Sequence, residues 1–347
     1  MFYIHQASCI SPQQTFAPVN LESLFAPVNN QLRVIEPEVI PLPGNVLRRM
    51  GRGVRMSVVA GMPLLKEQPA PQGIIIGTAN AGMQESGKFL DQLIEYDEDT
   101  LSPANFVQST SNSIAAQISM MFGLHCYANT HVHGGLAFEN ALLDAAMLVS
   151  EQPEASFLLG GADEITNYNY SIDQLAGWYK TEQIGAGNFY TETPGTIAGE
   201  GAALFNISGK AEGAKAKLVA AEMLNAADET KVAERLSVFI AKHLSGKEPA
   251  LFLSGENGDI RSLKFYNGCE DVLGTNVLVA RFKHLCGDCP TASAFALWLA
   301  VALASGEVTA PTHLIKRGEL IVTPGSVLIY NCYKNYQHSF MLVEKVC

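Results

Sequence analysis

Apolar residues in this chain fall into two alternating kinds of segment. Short continuous runs end in glycine, as in 73-GIIIGTANAG-82 and 156-SFLLGGADE-164. They read as buried strands, because a strand covered on both faces shows no polar alternation. Longer segments space their apolar residues as a helix does, as in 105-NFVQSTSNSIAAQISMMFG-123 and 136-LAFENALLDAAML-148. A helix with a basic first half is predicted over 48-RRMGRGVRMSVVAGMPLL-65, a strand at residues 1–4, and two short strands across a glycine-rich kink at 196–208. After Gly209 the pattern restarts with a strand at 216–224, an amphipathic helix at 229–244, strands at 249–257 and 277–283, and an apolar helix at 291–306. Closing strands are expected at 319–324 and 326–332. Strands alternating with helices predict an α/β fold with layered sheets. The restart divides the chain into two similar halves, 1–209 and 210–347.

One junction raises a chemical question. In 126-CYANTHVHGGLAFENALLDAAML-148 a strand passes through Gly134 and Gly135 into a helix. A strand, a tight glycine turn and a helix N-terminus form a common seat for a nucleophile, since the helix start offers N–H donors to developing negative charge. The turn here carries Thr130, His131, Val132 and His133, with no Cys, Ser or Lys at the bend.

Composition narrows the partners. Of 347 residues, 48% are hydrophobic and only 16% charged, which implies a many-layered core or an oligomer that hides surface. The net charge of −11 and the lack of a basic-aromatic stripe argue against nucleic acid. The longest apolar stretch, 294-AFALWLAVALA-304, is too short to span a bilayer. Seven cysteines with no export signal lead us to expect reduced thiols in the cytoplasm.

Several patterns then coincide in order. GGADE (160–164) ends a buried strand and GEGAALF (199–205) follows; Lys283 and Gly287 stand in FKHLCGD before a small-residue helix; VLIYNCYKNYQHSFMLV (327–343) lies near the end. Along essentially its whole length the chain resembles the β-ketoacyl synthase branch of the thiolase-like condensing enzymes. Residues RRM (48–50), NFVQST (105–110) and LAFENALLDAAML (136–148) are similar to ketosynthase-like and chain-length-factor proteins of aryl-polyene and flexirubin-type clusters. The resemblance implies a five-layered αβαβα sandwich of two similar halves. It also implies a dimer, an active ketosynthase as partner, an acyl carrier protein whose phosphopantetheine arm is a transient ligand, and no resident cofactor.

The family uses a nucleophilic cysteine at the elbow and two histidines that activate the malonyl group. Carried over by motif, the cysteine position falls on Val132, the first histidine on Gly255 in LFLSGENGD, and the second on Asp288. The motif's lysine is kept as Lys283, and the glycine-rich closing loop is replaced by CYKNYQ (332–337). Valine cannot attack a thioester, and an anionic Asp288 would disfavour an enolate beside it. The expectation is a non-catalytic subunit in fatty acid, polyketide or aryl-polyene synthesis. Two rivals stand beside it: a divergent active 3-oxoacyl-carrier-protein synthase or acyltransferase using Cys126, and a module that only binds acyl chains or a carrier protein.

Other residues have a bland and a sharp reading. The GEGA glycines let two strands cross closely, and Glu200 reads as a hydrogen-bonded buried carboxylate. His131 and His133 read as structural, with a residual acid–base role or a metal site as alternatives. Cys286 and Cys289 form an isolated CxxC with no second pair. Lys283 is expected to pair with Glu164 or Glu200. Arg48, Arg49, Arg52 and Arg55 form either a solvated face with internal ion pairs or a docking patch for a carrier protein or partner subunit.

Overall fold

The computed structural model describes residues 1–37, 40, 42–66, 70–96, 101, 103–320 and 322–346. The first half contributes strands β1 (Phe2–Ile10), β2 (Gly73–Gly77), β3 (Tyr127–His131), β4 (Phe157–Asp163) and β5 (Gly201–Ser208). The second contributes β6 (Ala216–Asn225), β7 (Leu251–Ser254), β8 (Val279–Arg281), β9 (Ile315–Arg317), β10 (Ser326–Tyr333) and β11 (Gln337–Lys345). These eleven strands form one sheet in the order β9-β8-β7-β10-β11-β6-β1-β5-β4-β2-β3.

The order repeats. In the first half β1-β5-β4 pair antiparallel and β4-β2-β3 parallel. In the second, β6-β11-β10 pair antiparallel and β10-β7-β8 parallel. The halves are stitched where β1 meets β6 antiparallel, with Phe2 opposite Leu218 and Ile4 opposite Ala216. The parallel strands β2, β4 and β7 are buried throughout, as expected for strands covered on both faces, whereas β3 at the edge is polar and partly exposed.

Helices complete the layers. Helices α1 (Arg52–Lys66) and α2 (Ser113–Phe122) cover the outer face of the first half, and α4 (Glu229–His243) with α5 (Leu263–Leu273) that of the second. Between the halves lie α3 (Ala137–Glu151) and α6 (Ala292–Ser305). Helix α6 is apolar on all sides, and every residue from 292 to 304 is buried, so it is the central element of the core. The arrangement is the thiolase-like αβαβα architecture. No helix among the described residues is long and apolar enough to cross a membrane.

Three readings of the pattern need correction. The helix expected from residue 48 begins at Arg52, because residues 48–50 close a preceding short helix, Gly44–Leu47: the Arg48 N–H donates to the Gly44 carbonyl at 3.1 Å and the Met50 N–H to the Leu47 carbonyl at 3.2 Å. The closing edge strand is Ile315–Arg317, not 319–324; Gly318, at φ +86°, turns the chain away, and residue 321 lies outside the described residues. Helices at Met83–Glu95, Asn167–Leu175 and Leu263–Leu273 were not foreseen.

Candidate functional site

The elbow forms as the sequence suggests. Strand β3 is the edge strand of the first half and ends at His131. Val132 follows, 53% exposed, and Gly134 takes φ +54°, a left-handed turn that favours glycine. One 3₁₀ turn, Gly134–Leu136, then leads into α3.

The seat at the helix start is filled by the chain itself. The Gly135 N–H donates to Gln337 Oε1 at 2.8 Å, and Gln337 Nε2 donates to the His133 carbonyl at 3.4 Å. Tyr333 packs against Gly135 so closely that a Cβ there would stand 2.3 Å from the Tyr333 Cβ. Both residues belong to the β10–β11 hairpin, whose turn places Lys334 and Asn335 at φ +50° and +59°. Lys334 anchors that turn to Asp173 at 2.5 Å. The CYKNYQ segment therefore acts as a plug, set between β3 and the rest of the centre.

Across the centre, Asp288 is enclosed. Lys283 Nζ reaches Asp288 Oδ1 at 2.5 Å, and Asn257 Nδ2 donates to Asp288 Oδ2 at 2.9 Å. Burial opposes the Lys283 ammonium, but the Asp288 carboxylate outweighs it and the amine's pKa is raised. The lysine's partner is thus Asp288, and neither Glu164 nor Glu200. Gly255 donates its N–H to the Tyr330 carbonyl at 2.8 Å, and a Cβ there would lie 2.9 Å from Asn331 Oδ1. A histidine has no room at that position without a shift of β10.

GEGA does structural service. Gly199 crosses Gly287 so closely that a Cβ on either would overlap backbone of the other segment. Glu200 is fully buried, accepts from Val34 N–H at 2.8 Å and pairs with Arg52 at 2.5 Å. Arg55 grips Glu36 at 2.6 Å. Arg52 and Arg55 are therefore engaged within the chain, while Arg48 and Arg49 are exposed.

The remaining candidates lie apart. His131 Nε2 sits 2.8 Å from Asp144 Oδ2 on α3, in a cluster completed by Asn129. His133 is exposed. Cys126 precedes β3, at the end opposite the elbow; six residues at strand rise put it about 20 Å from Val132. It packs with the outer-layer core, and burial raises its pKa, the reverse of what a nucleophilic thiol needs. Cys286 and Cys289 are buried, with thiols pushed up by desolvation. Among the described residues no group of His, Cys, Asp and Glu is placed to hold a metal.

Two buried carboxyls lie at the end of β4: Asp163, to which the sequence reading gave no role, and Glu164, which it read only as a partner for Lys283. Asp163 accepts from the Ala79 and Asn80 N–H groups at 2.9 and 2.7 Å, yet burial pushes its pKa up to about 6. Glu164 accepts from Gly53 N–H at 2.8 Å, and burial with the neighbouring Glu85 pushes it up to about 7. The role of Tyr333 and Gln337 was also unforeseen: their reach depends on hairpin register, which no local motif encodes.

Residues 27–181 match the family model for the β-ketoacyl synthase N-terminal domain. The chain is similar in fold to a β-ketoacyl synthase from Burkholderia phymatum STM815, with 16% identity, TM-score 0.76, and coverage of 100% of this chain and 99% of that one. It is likewise similar to the ishigamide ketosynthase/chain length factor, with 13% identity, TM-score 0.77, and coverage of 99% and 98%. The ketosynthase ApeO in complex with its chain length factor ApeC from Xenorhabdus doucetiae gives 13% identity, TM-score 0.75, and again coverage of 99% and 98%. Comparison with curated sequences finds no match.

Proposed function

We propose that the protein, whose residues 27–181 match the model of the β-ketoacyl synthase N-terminal domain and whose fold is similar to that of ketosynthases, is a non-catalytic, chain-length-factor-type subunit. It works beside an active ketosynthase in polyketide, aryl-polyene or fatty acid synthesis. The observation that carries this reading is the filled elbow. Val132 stands where a nucleophile is needed, and the Gly135 N–H is already bound to Gln337. Both Asp288 carboxyl oxygens accept from Lys283 and Asn257, so this side chain offers no donor to stabilise the enolate that decarboxylation would form.

The surface supports a partner subunit. One side of β3 pairs with no strand among the described residues, and an open edge favours addition of another strand. Tyr127 on β3 and Met120 on α2, 45% and 71% exposed, flank that edge. A ketosynthase on this face would form a dimer with the elbow near the joint. The acyl carrier protein, with its phosphopantetheine arm as transient ligand, would engage the complex with help from Arg48 and Arg49. No resident cofactor is part of this reading.

Intact mass after incubation with an octanoyl thioester, with and without a co-expressed ketosynthase, tests it. The expected result is acylation of the ketosynthase alone, and a changed product length when this subunit is present. A stoichiometric acyl adduct on this chain by itself would sink the proposal.

A further inference from the structure

We propose, resting on the partnership read above, that the face beside the β3 edge takes a subunit with a basic docking surface and turns away a second copy of this chain. The net charge of −11 is not evenly spread. Residues 89–179 hold twelve acidic residues and no Lys or Arg, so this stretch alone accounts for the imbalance. The same stretch supplies β3, the helices α2 and α3 that contact it, and the short helix Pro103–Gln108.

Apolar side chains form the centre of the face. On the helix Met83–Glu95, Leu90 and Ile94 stand one turn apart and are exposed, Ile94 by 84%. Phe106 of the short helix meets Phe89, with ring centroids 5.3 Å apart, and is itself exposed. Val107 and Met120, both exposed, line one groove, which carries the patch on to the β3 edge. Apolar surface continuing across neighbouring elements marks a protein interface.

Acids rim that centre. Asp91 and Glu95 are exposed in the last two turns of the Met83–Glu95 helix, and no basic residue stands in its last turn. A carboxylate there meets the negative end of the helix dipole, which favours a cation supplied from outside. Asp97, Glu98 and Asp99 follow in the sequence. Lys88, the one cation of the helix, pairs with Glu85 at 3.6 Å, and Arg49 flanks the short helix at Val107 and Gln108. Asp91 accepts from the Tyr168 hydroxyl, whereas Glu95 has no hydrogen-bond or ion-pair partner among the described residues. Two copies meeting about a two-fold axis would set these acids against each other, with no Lys or Arg from residues 89–179 to answer them. A basic partner satisfies the apolar centre and the acidic rim together.

The ketosynthase of the intact-mass test, purified and passed over the immobilised full chain at about 50 and about 500 mM salt, tests this by interferometry. Association is expected to be faster at low salt. Glu95→Lys should slow it about tenfold at low salt and leave the high-salt rate nearly unchanged. Ile94→Ser should speed dissociation at both salts. Glu95 is exposed and unpaired, so its variant is expected to keep the parent's melting temperature. Binding that Glu95→Lys leaves unaltered at low salt would overturn the proposal. So would sedimentation of the chain alone as a dimer that Ile94→Asp dissociates, since the face would then join two copies. No binding by the unmodified chain would remove the partnership as well. An acyl adduct on this chain would sink the non-catalytic reading and leave these binding results as they are, so the two fail separately.

Discussion

Lys283 and Asp288 form a buried ion pair of 2.5 Å, five residues apart, and Asp288 is the residue onto which the family resemblance carries a histidine. Separating them leaves an uncompensated charge in the core. Asp288→His, which restores the family residue, is expected to cost about 3–5 kcal/mol in urea unfolding. A double change, Lys283→Met with Asp288→Leu, should recover most of that loss. A stable Asp288→His protein would contradict the pairing.

Contact between Gly135 and Tyr333 predicts a coupled pair of variants. Gly135→Ala places a methyl where Tyr333 already lies and should destabilise by about 1–3 kcal/mol through overpacking. In a Tyr333→Gly background the same change should be close to neutral. Additive effects in this double-mutant cycle would mean the plug does not seat as described.

Glu164 predicts a pH dependence with a definite sign. Its pKa is about 7 in the folded chain against an ordinary value of 4.5, so the folded state binds its proton more tightly. The group favours folding most below pH 4.5, and that contribution is lost as the pH rises through 7. The loss at higher pH is on the order of 2–3 kcal/mol. Urea midpoints should fall with rising pH across this window, and Glu164→Gln should flatten the slope. An unchanged slope in the variant would reject the assignment.

A chain of hydrogen bonds fixes two histidine tautomers. The Leu21 carbonyl can only accept, so His313 Nε2, 2.7 Å away, carries the proton. The His313 Nδ1 then accepts from His284 Nε2 at 3.0 Å, and His284 Nδ1 accepts from the Tyr190 hydroxyl at 2.7 Å. Burial lowers the His284 pKa to about 3. Nitrogen-15 spectra at neutral pH should show both rings protonated at Nε2, with His284 untitrated down to about pH 4. An Nδ1–H form of His284 would refute the chain.

The arginine cluster divides by partner. Arg52→Ala strands the fully buried Glu200 and should cost about 3 kcal/mol. Arg48→Ala and Arg49→Ala should stay within about 0.5 kcal/mol of the parent, since both side chains are exposed. Under the proposed function the pair of surface changes weakens carrier-protein binding, measurable by surface plasmon resonance, more at low salt than at high.

Local pattern carried much of this fold. Strands β2, β4 and β7 were legible because both faces are buried, and α6 because it is apolar all round. The elbow was legible from glycine placement, and Val132 stands at its tip. What the pattern lacked was long-range pairing. Arg52 finds Glu200 across 148 residues, and Tyr333 finds Gly135 only through hairpin register. Lys283 was assigned the wrong acid for the opposite reason. Its partner lies only five residues on, just past the turn at Gly287, and Asp288 had been read only as a missing histidine. The edge strand was placed beyond Gly318 because 319-ELIVTP-324 is more apolar than Ile315–Arg317, yet the turn at Gly318 decides.

The Gly135–Gln337 bond also has a history in time. Its partners are 202 residues apart, and Gln337 leaves the ribosome last. At roughly 5–20 residues per second, the nascent elbow waits about 10–40 s for its cap. For the later part of that interval the whole first half is out of the ribosome, with the start of α3 open. A partner subunit or chaperone meeting the growing chain then would find the elbow unplugged, a form that the finished protein does not present.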